Sequence, residues 1–349
     1  MEDFPAHPDE VTASWLGDVL GARVDSVRWE AIGTGQVGDS VRFHCEGQGG
    51  TFTLAGKFSA EDEASKATAT SFGLYRKEVE FYRSTAPHLA MRVPQVHFAE
   101  VNEEGSEFFL LFEDLGPAEQ GNQIAGCGIK RAHDAIVQAA AIHAPSWNNA
   151  ELLESEWIQP PPELGATVAA MYPQAQAVFR ERYADQLEPK FMALCEELAD
   201  LAPVYFRSDP DRQCIVHGDF RLDNMLFNIR GGAEPIAVLD WQTVTVGKAM
   251  TDVGYFMGCG IGETLWREHE DGLLDLWLSE MAKRGVTLKH DDIEDDYRRG
   301  ILHGVSTAVF SAAFVKRTER GDANFLSMAR GACSLALARD SLAALKEVS

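Results

Sequence analysis

The chain has 349 residues, 45% hydrophobic and 24% charged, with a formal net charge of −23. That length suffices for two substantial cores, and the acidity excludes the basic face that nucleic acid requires. No run of about 18 apolar residues suits a membrane span, and the acidic start MEDFPAHPDE has no secretory h-region. The six cysteines, without a C-x-x-C pair, read as reduced apolar fillers. The expectation is a cytoplasmic protein.

Pro8-Asp9 before VTASWLGDVL predicts a capped helix ended at Gly21, with Val11, Trp15 and Val19 on one side. From about Val24 to Phe58 the pattern is one of short strands. VRFHC alternates Val41, Phe43 and Cys45; TFTLAGKF alternates Phe52, Leu54 and Phe58, which puts Lys57 on the other face. Between them IGTGQVGDSVRF spaces Gly33, Gly35 and Gly38 as G-x-G-x-x-G. A dinucleotide-binding turn would open a helix at the third glycine. An alternating strand follows here instead, so the loop tips a hairpin, as in a flap whose N–H groups cover phosphates. SAEDEASKATAT reads as a mobile loop or a frayed helix start, and FGLYRKEVEFYRSTA as a helix ended by Pro87. Most lone lysines are solvated. Lys57, however, is followed two elements on by Glu78 and Glu80, and a glutamate that fixes it would set it against the α- and β-phosphates of ATP. Glu78 is given that part, Glu80 a solvated face.

Strands follow around Val96 to Glu100 and Glu107 to Phe112. LLFEDL then breaks at Gly116-Pro117. It is either a buried strand ending in a turn or a hinge whose backbone at Glu113 and Leu115 hydrogen-bonds adenine; its place between a β-rich and a helical half favours the hinge. Beyond it, Ile129, His133, Ile136, Ala140 and His143 share one helix face. Residues 163–202, 262–283, 292–317 and 322–346 also read as helices, one of them begun by the acidic run HDDIEDDYRR. The interruption is HGDFRLDN, His217 to Asn224, set between the apolar pairs Ile215-Val216 and Met225-Leu226. After it, NMLFNIRGGAEPIAVLDW reads as two short strands joined at Gly231-Gly232.

Polar groups in such a setting must be satisfied or working. Phosphoryl transfer needs an acceptor-only carboxylate to orient or deprotonate the attacking hydroxyl, and oxygen ligands for Mg²⁺. Asp219 fits the first need; Asn224, five residues on, and Asp240 fit the second. His217 pins the loop by hydrogen bonds. Arg221 either neutralises the transferred phosphoryl group or serves as an ion-pair partner. Asp223 is solvated or a local cap, and Asp252 caps a helix or supports the loop.

With these pieces in order, the sequence resembles the aminoglycoside phosphotransferase and choline kinase superfamily. HGDFRLDNMLF is similar to its catalytic loop, LDWQTVTVGKAMTDVGYF to its metal-binding segment, and D-W-Q to the ecdysteroid-kinase-like branch of small-molecule phosphotransferases. The resemblance runs from about Gly33 to Phe256. It implies an α+β, protein-kinase-like two-lobe fold, with a β-rich nucleotide-binding lobe over 1–115 and a mainly helical catalytic and acceptor-binding lobe over 116–349. It further implies ATP and Mg²⁺ as cofactors. Asp219 and Arg221 would be catalytic, Asn224 and Asp240 metal ligands, and Gly33, Gly35, Gly38, Lys57, Glu78, Glu113 and Leu115 nucleotide contacts. The H-R-D, D-F-G and A-P-E of a protein kinase are missing, and only twelve residues lead from Asp240 to Asp252, too few for a long activation loop. The expected acceptor is therefore a small-molecule hydroxyl. Competing readings are a catalytically silent nucleotide-binding module, against which stands the intact set of catalytic positions, and a protein kinase. No motif specifies the acceptor or chooses between monomer and weak dimer. Trp147, Tyr255 and Trp266 are candidate pocket-wall or core residues.

Overall fold

The computed structural model of the chain describes residues 4–34, 38–315 and 317–347. The chain forms two compact units, one of Met1–His88, Arg92–Glu119 and Asn228–Val244, the other of Leu89–Met91, Gln120–Phe227 and Thr245–Ser349. No helix among the described residues is long and apolar enough to cross a membrane.

In the first unit α1 (Ala13–Leu20) is capped by Thr12, whose side chain accepts from the Trp15 N–H. It packs on an antiparallel sheet of β1 (Val24–Thr34), β2 (Gly38–Gly47), β3 (Gly50–Ser59), β4 (Val96–Val101) and β5 (Phe108–Glu113), in the order β1-β2-β3-β5-β4. Alternate residues face α1: Val41, Phe43 and Cys45 of β2, Leu54 and Phe58 of β3, and Phe109 and Leu111 of β5 gather around Leu16. Phe58 and Phe109 stack at 4.2 Å. Lys57 takes the opposite face, in register with Ser40 and Leu110. Its neighbour must be glycine, because a Cβ on Gly56 would meet the Phe43 ring at 2.7 Å.

Two helices follow β3. α2 (Glu63–Ser71) is a formed helix where polar composition suggested a loop or frayed start; Asp62 caps it by accepting from the Ser65 N–H. α3 (Leu74–Glu80) does not run on as a regular helix to Pro87 but opens into a π turn, Phe81–Thr85. The aromatic pair there explains the change. Phe81 stacks flat on Trp241 at 3.8 Å while Tyr82 meets Phe112 edge-on at 4.9 Å. A wider turn keeps successive side chains closer to one face, so both rings are buried.

The second unit is helical: α4 (Ile129–Ser146), α5 (Leu164–Tyr183), α6 (Pro189–Asp200), α7 (Ala249–Tyr255), α8 (Glu263–Lys283), α9 (His290–Phe314), α10 (Glu319–Ala338) and α11 (Ser341–Lys346). The acidic run does begin α9. A short ladder pairs Cys214–Val216 with Thr245–Gly247, and α7 passes directly into a π turn, Phe256–Gly260. Glycines set how closely α7 and α9 cross. A Cβ on Gly300 would lie 1.9 Å from the Met250 carbonyl oxygen, and one on Gly254 would lie 2.5 Å from Gly300 C. The backbones are in contact there, which seats α7 against the loop it supports.

Gly300→Ala is therefore expected to lower the unfolding free energy by about 2 kcal/mol or more, since neither helix can yield without repacking. Urea denaturation checks this. An unchanged midpoint would mean that the helices do not cross this closely.

Candidate active site

The loop His217–Asn224 leaves the buried strand Cys214–Val216 and is held from below by α7. Asp252, in the first turn of α7, is fully buried. Its Oδ2 accepts from the His217 N–H at 2.8 Å and its Oδ1 from the Gly218 N–H at 2.9 Å. His143 of α4 adds a contact from Nε2 to Oδ2 at 3.2 Å. The tautomer of His143 follows from its other side. The Trp277 indole N–H, which can only donate, bonds His143 Nδ1 at 3.1 Å. Nδ1 is thus the acceptor and Nε2 carries the proton given to Asp252. Burial pushes the Asp252 carboxyl upward, but the His143 bond and the His217 N–H outweigh it and hold the group below the ordinary 3.8. Gly218 has φ +79, where only glycine is at ease. Its carbonyl accepts from His303 Nε2 at 2.8 Å.

On this base stands Asp219. Its own N–H bonds His217 Nδ1 at 3.2 Å, so His217 does pin the loop. Oδ2 of Asp219 accepts from Arg221 Nε and from Asn224 Nδ2, both at 2.9 Å, and Oδ1 accepts from the Tyr255 hydroxyl at 2.9 Å. Burial raises the carboxyl, yet the Arg221 charge and the Tyr255 bond bring it below its ordinary value. Arg221 also reaches Asp223 at 3.3 Å, so its guanidinium lies between two carboxylates. Asn224 spends its amide nitrogen on Asp219, through both Oδ2 and the backbone oxygen, which leaves the amide oxygen as its possible cation ligand. Asp223 is no solvated bystander. It accepts from the Gln123 N–H at 2.9 Å, while Gln123 Oε1 takes the Leu222 N–H at 3.1 Å.

The first unit carries the other half of the predicted set. Lys57 Nζ donates to both carboxylate oxygens of Glu78 at 2.8 Å and to Asp240 Oδ1 at 3.2 Å. Burial would lower the lysine, but Asp240 and Glu78 outweigh it and the net shift is upward, so the ammonium stays charged. Glu78 rather than Glu80 is the partner, as the sequence predicted; Glu80 lies by Arg83. Asp240 has φ +64, a strained conformation for a residue with a side chain. The stacking of Trp241 on Phe81 and the bond from Trp241 Nε1 to the Val238 carbonyl at 3.4 Å hold it there.

Gly33 and Gly38 lie in paired β1 and β2, consistent with a hairpin, and Gly35 falls outside the described residues. Gly38 has a packing role of its own, since a Cβ would come within 3.0 Å of the Phe58 carbonyl. At the end of β5 the Glu113 N–H bonds the Gln95 carbonyl and the Leu115 carbonyl accepts from the Arg230 N–H, both at 2.9 Å. Any adenine contact at these residues must use their other backbone groups. The Glu113 carboxylate is itself occupied by Arg92 and the Gln95 N–H, each at 2.7 Å.

In the second unit a cavity of about 610 Å³ is lined by Ile124, Gln186, Arg317, Asp322, Leu326 and Arg330, among others. None of these lining residues belongs to the loop His217–Asn224, but two of them have chain neighbours that reach it: Gln123, before Ile124, bonds Leu222, and Arg320, after Glu319, lies 3.9 Å from Asp223. Tyr255 and Trp266 are buried, so they are core residues in this chain and not part of that wall. Sequence reasoning gave no role to Gln123 or Trp277. His143 was visible as a histidine on an apolar helix face and as part of IHAPSW, a helix end that resembles the family's.

All donors proposed for a cation are oxygens, which suits a hard ion such as Mg²⁺. Among the described residues no group of three His, Cys, Asp or Glu side chains could hold a metal ion.

A family model described as Phosphotransferase enzyme family matches residues 64–286. Acyl-CoA dehydrogenase family member 11 from Homo sapiens is 26% identical over 167 residues, 47% of this chain and 20% of that protein. The chain spans only 4% to 20% of the length of the curated relatives it matches. Choline kinase from Cryptosporidium parvum Iowa II superposes with a TM-score of 0.57 at 10% identity, covering 96% of this chain and 92% of the other. APH(2")-IIia in complex with GDP and kanamycin superposes with a TM-score of 0.54 at 16% identity, covering 90% and 94%. The fold is thus α+β and protein-kinase-like, with a β-rich N-terminal part and a mainly helical C-terminal part.

Asp252→Asn keeps the shape but turns an amide NH₂ toward donors that need an acceptor, so it is expected to cost about 2 to 4 kcal/mol at neutral pH. The folded carboxyl lies below its unfolded value. Its stabilisation is therefore full above about 3.8 and is lost as pH falls through the folded value. Urea midpoints from pH 7 to pH 3 should fall more steeply in the parent than in the variant. Parallel curves would contradict this role for Asp252.

Proposed function

The chain belongs to the phosphotransferase enzyme family, and we propose that it transfers the γ-phosphoryl group of ATP to a hydroxyl of a small molecule. The observation that carries this reading is the Lys57 ammonium, bonded at once to buried Glu78 and to Asp240, whose backbone is strained. A lysine so fixed meets the nucleotide phosphates as a positioned charge, and strain of this kind persists where function needs it.

In this reading Lys57 binds the α- and β-phosphates, with Gly33, Gly35 and Gly38 as further nucleotide contacts. The backbone at Glu113 and Leu115 faces the adenine. Asp219 orients the acceptor hydroxyl and receives its proton; Arg221 neutralises charge on the transferred group. Asn224 and Asp240 would hold Mg²⁺, which when bound would supply charge neutralisation at the phosphates. The functional division is residues 1–115 for nucleotide and 116–349 for catalysis and acceptor. Because the protein does little covalent work here, positioning and electrostatics account for the rate.

The cavity beside Gln123 supports a view of the acceptor. Its lining sets Arg317 and Arg330 against Asp322 and Glu319, with Ile124 and Leu326 supplying apolar surface. A charge-balanced, partly apolar wall suits an amphipathic alcohol better than a polycationic amino-sugar.

ADP release with Mg-ATP, measured over alcohols, sterols, amino-sugars and choline-like acceptors, tests the reaction. Turnover should appear with one class and fall at least about 100-fold in Asp219→Asn, with ATP affinity nearly unchanged. Full activity in that variant would remove Asp219 from the mechanism. For the acceptor that turns over, Leu326→Glu is expected to raise the acceptor KM and spare the KM for ATP. An unchanged acceptor KM would place the acceptor elsewhere.

A further inference from the structure

We propose that Tyr255 is a positioning residue for the transfer: its phenol fixes the Asp219 carboxylate and leaves Oδ1 as the oxygen that meets the acceptor hydroxyl. The inference rests on the reading of Asp219 given above and adds a residue and an atom to it.

A carboxylate offers about four lone-pair sites, two on each oxygen. Oδ2 of Asp219 already takes two donors, Arg221 Nε and Asn224 Nδ2. Oδ1 takes one, the Tyr255 hydroxyl. Among the described residues no donor takes the fourth site, which lies on Oδ1, so the acceptor hydroxyl binds there. The terminal torsion of an aspartate is soft. With only Oδ2 held, Oδ1 could swing away from the acceptor; a donor on Oδ1 stops that rotation.

Tyr255 is built for this task. Its ring is fully buried, and a buried phenol hydroxyl without a partner would be costly; Asp219 is the partner it finds. The residue ends α7 and stands immediately before the π turn. His303 meets the ring edge-on at 5.2 Å, and a Cβ on Gly304 would reach its Cδ2 at 3.4 Å. α9 therefore closes the space behind the ring, and the hydroxyl cannot retreat from Asp219.

The test is a double-mutant cycle on ADP release, with Tyr255→Phe, Asp219→Asn and the double variant, using the acceptor that turns over or water where no alcohol does. Tyr255→Phe removes one oxygen and keeps the ring. We expect kcat to fall roughly 10- to 100-fold, the scale of a misplaced reacting group, with the KM for ATP and the thermal midpoint little changed. In the Asp219→Asn background the same change should have no further effect. Full kcat in Tyr255→Phe beside an inactive Asp219→Asn would overturn the positioning role and leave the kinase reading intact. An equal loss in both backgrounds, or a loss that tracks the midpoint or the KM for ATP, would mark Tyr255 as structural only. Full activity in Asp219→Asn would overturn the functional reading itself.

Discussion

The loop His217–Asn224 depends on one buried carboxylate. Asp252 is sealed from solvent, where an isolated charge would not survive. It is tolerated because two backbone N–H groups and His143 converge on it. The arrangement is directional. Trp277 can only donate, so His143 must accept on Nδ1 and donate from Nε2, and Asp252 must remain an acceptor for the loop. A chain of bonds thus runs from α8 through α4 and α7 to the peptides around Gly218. His303 holds the carbonyl of that same glycine. With N–H and C=O both committed, the left-handed turn at Gly218 is fixed, and the Asp219 side chain has one direction in which to leave it.

The exposures of the three aspartates follow the tasks proposed for them. The side chain of Asp252 is 0% exposed, that of Asp219 24% and that of Asp240 43%. A carboxylate that organises the loop gains from burial, since its bonds strengthen where water is excluded. One that meets an acceptor must open to it on at least one lone pair, and one that takes a cation must open further. Exposure rises in that order. Asp252 is too enclosed, and too fully bonded, to be a third cation ligand. Asp240 differs from both in its strained backbone, which the stacking of Trp241 on Phe81 holds in place while Lys57 Nζ bonds the side chain.

Much of the site could be read from sequence, and the reasons are local. HGDFRLDN stands out because polar residues rarely sit between two buried strands without cause. Lys57 and Glu78 could be paired because strand alternation and helix spacing each point a side chain the same way. What stayed hidden joins residues with no shared period. Tyr255 meets Asp219 across 36 positions, Gln123 meets Leu222 across 99 and Trp277 meets His143 across 134. Tyr255 looked like a pocket wall or core aromatic because its ring belongs to the core; only its hydroxyl belongs to the site. Likewise α2 was obscured by polar composition although Asp62, its cap, stood in view.

The π turns follow from the same competition between faces. Each comes just after a side chain committed to a bond in the candidate site: Phe81–Thr85 after Glu78, which bonds Lys57, and Phe256–Gly260 after Tyr255, which bonds Asp219. In a regular helix the direction of one residue dictates that of the next, at about 100° per residue. Upstream, Tyr255 must face Asp219. Downstream, Gly258 must face α10 so closely that a Cβ would lie 3.1 Å from Ala332 Cα. Glu78 likewise must face Lys57 while Phe81 and Tyr82 turn to Trp241 and Phe112. One added residue resets the phase and lets both demands be met, at the cost of poorer hydrogen-bond geometry over one turn. Removing that residue would force a choice between aiming the side chain and packing the helix that carries it.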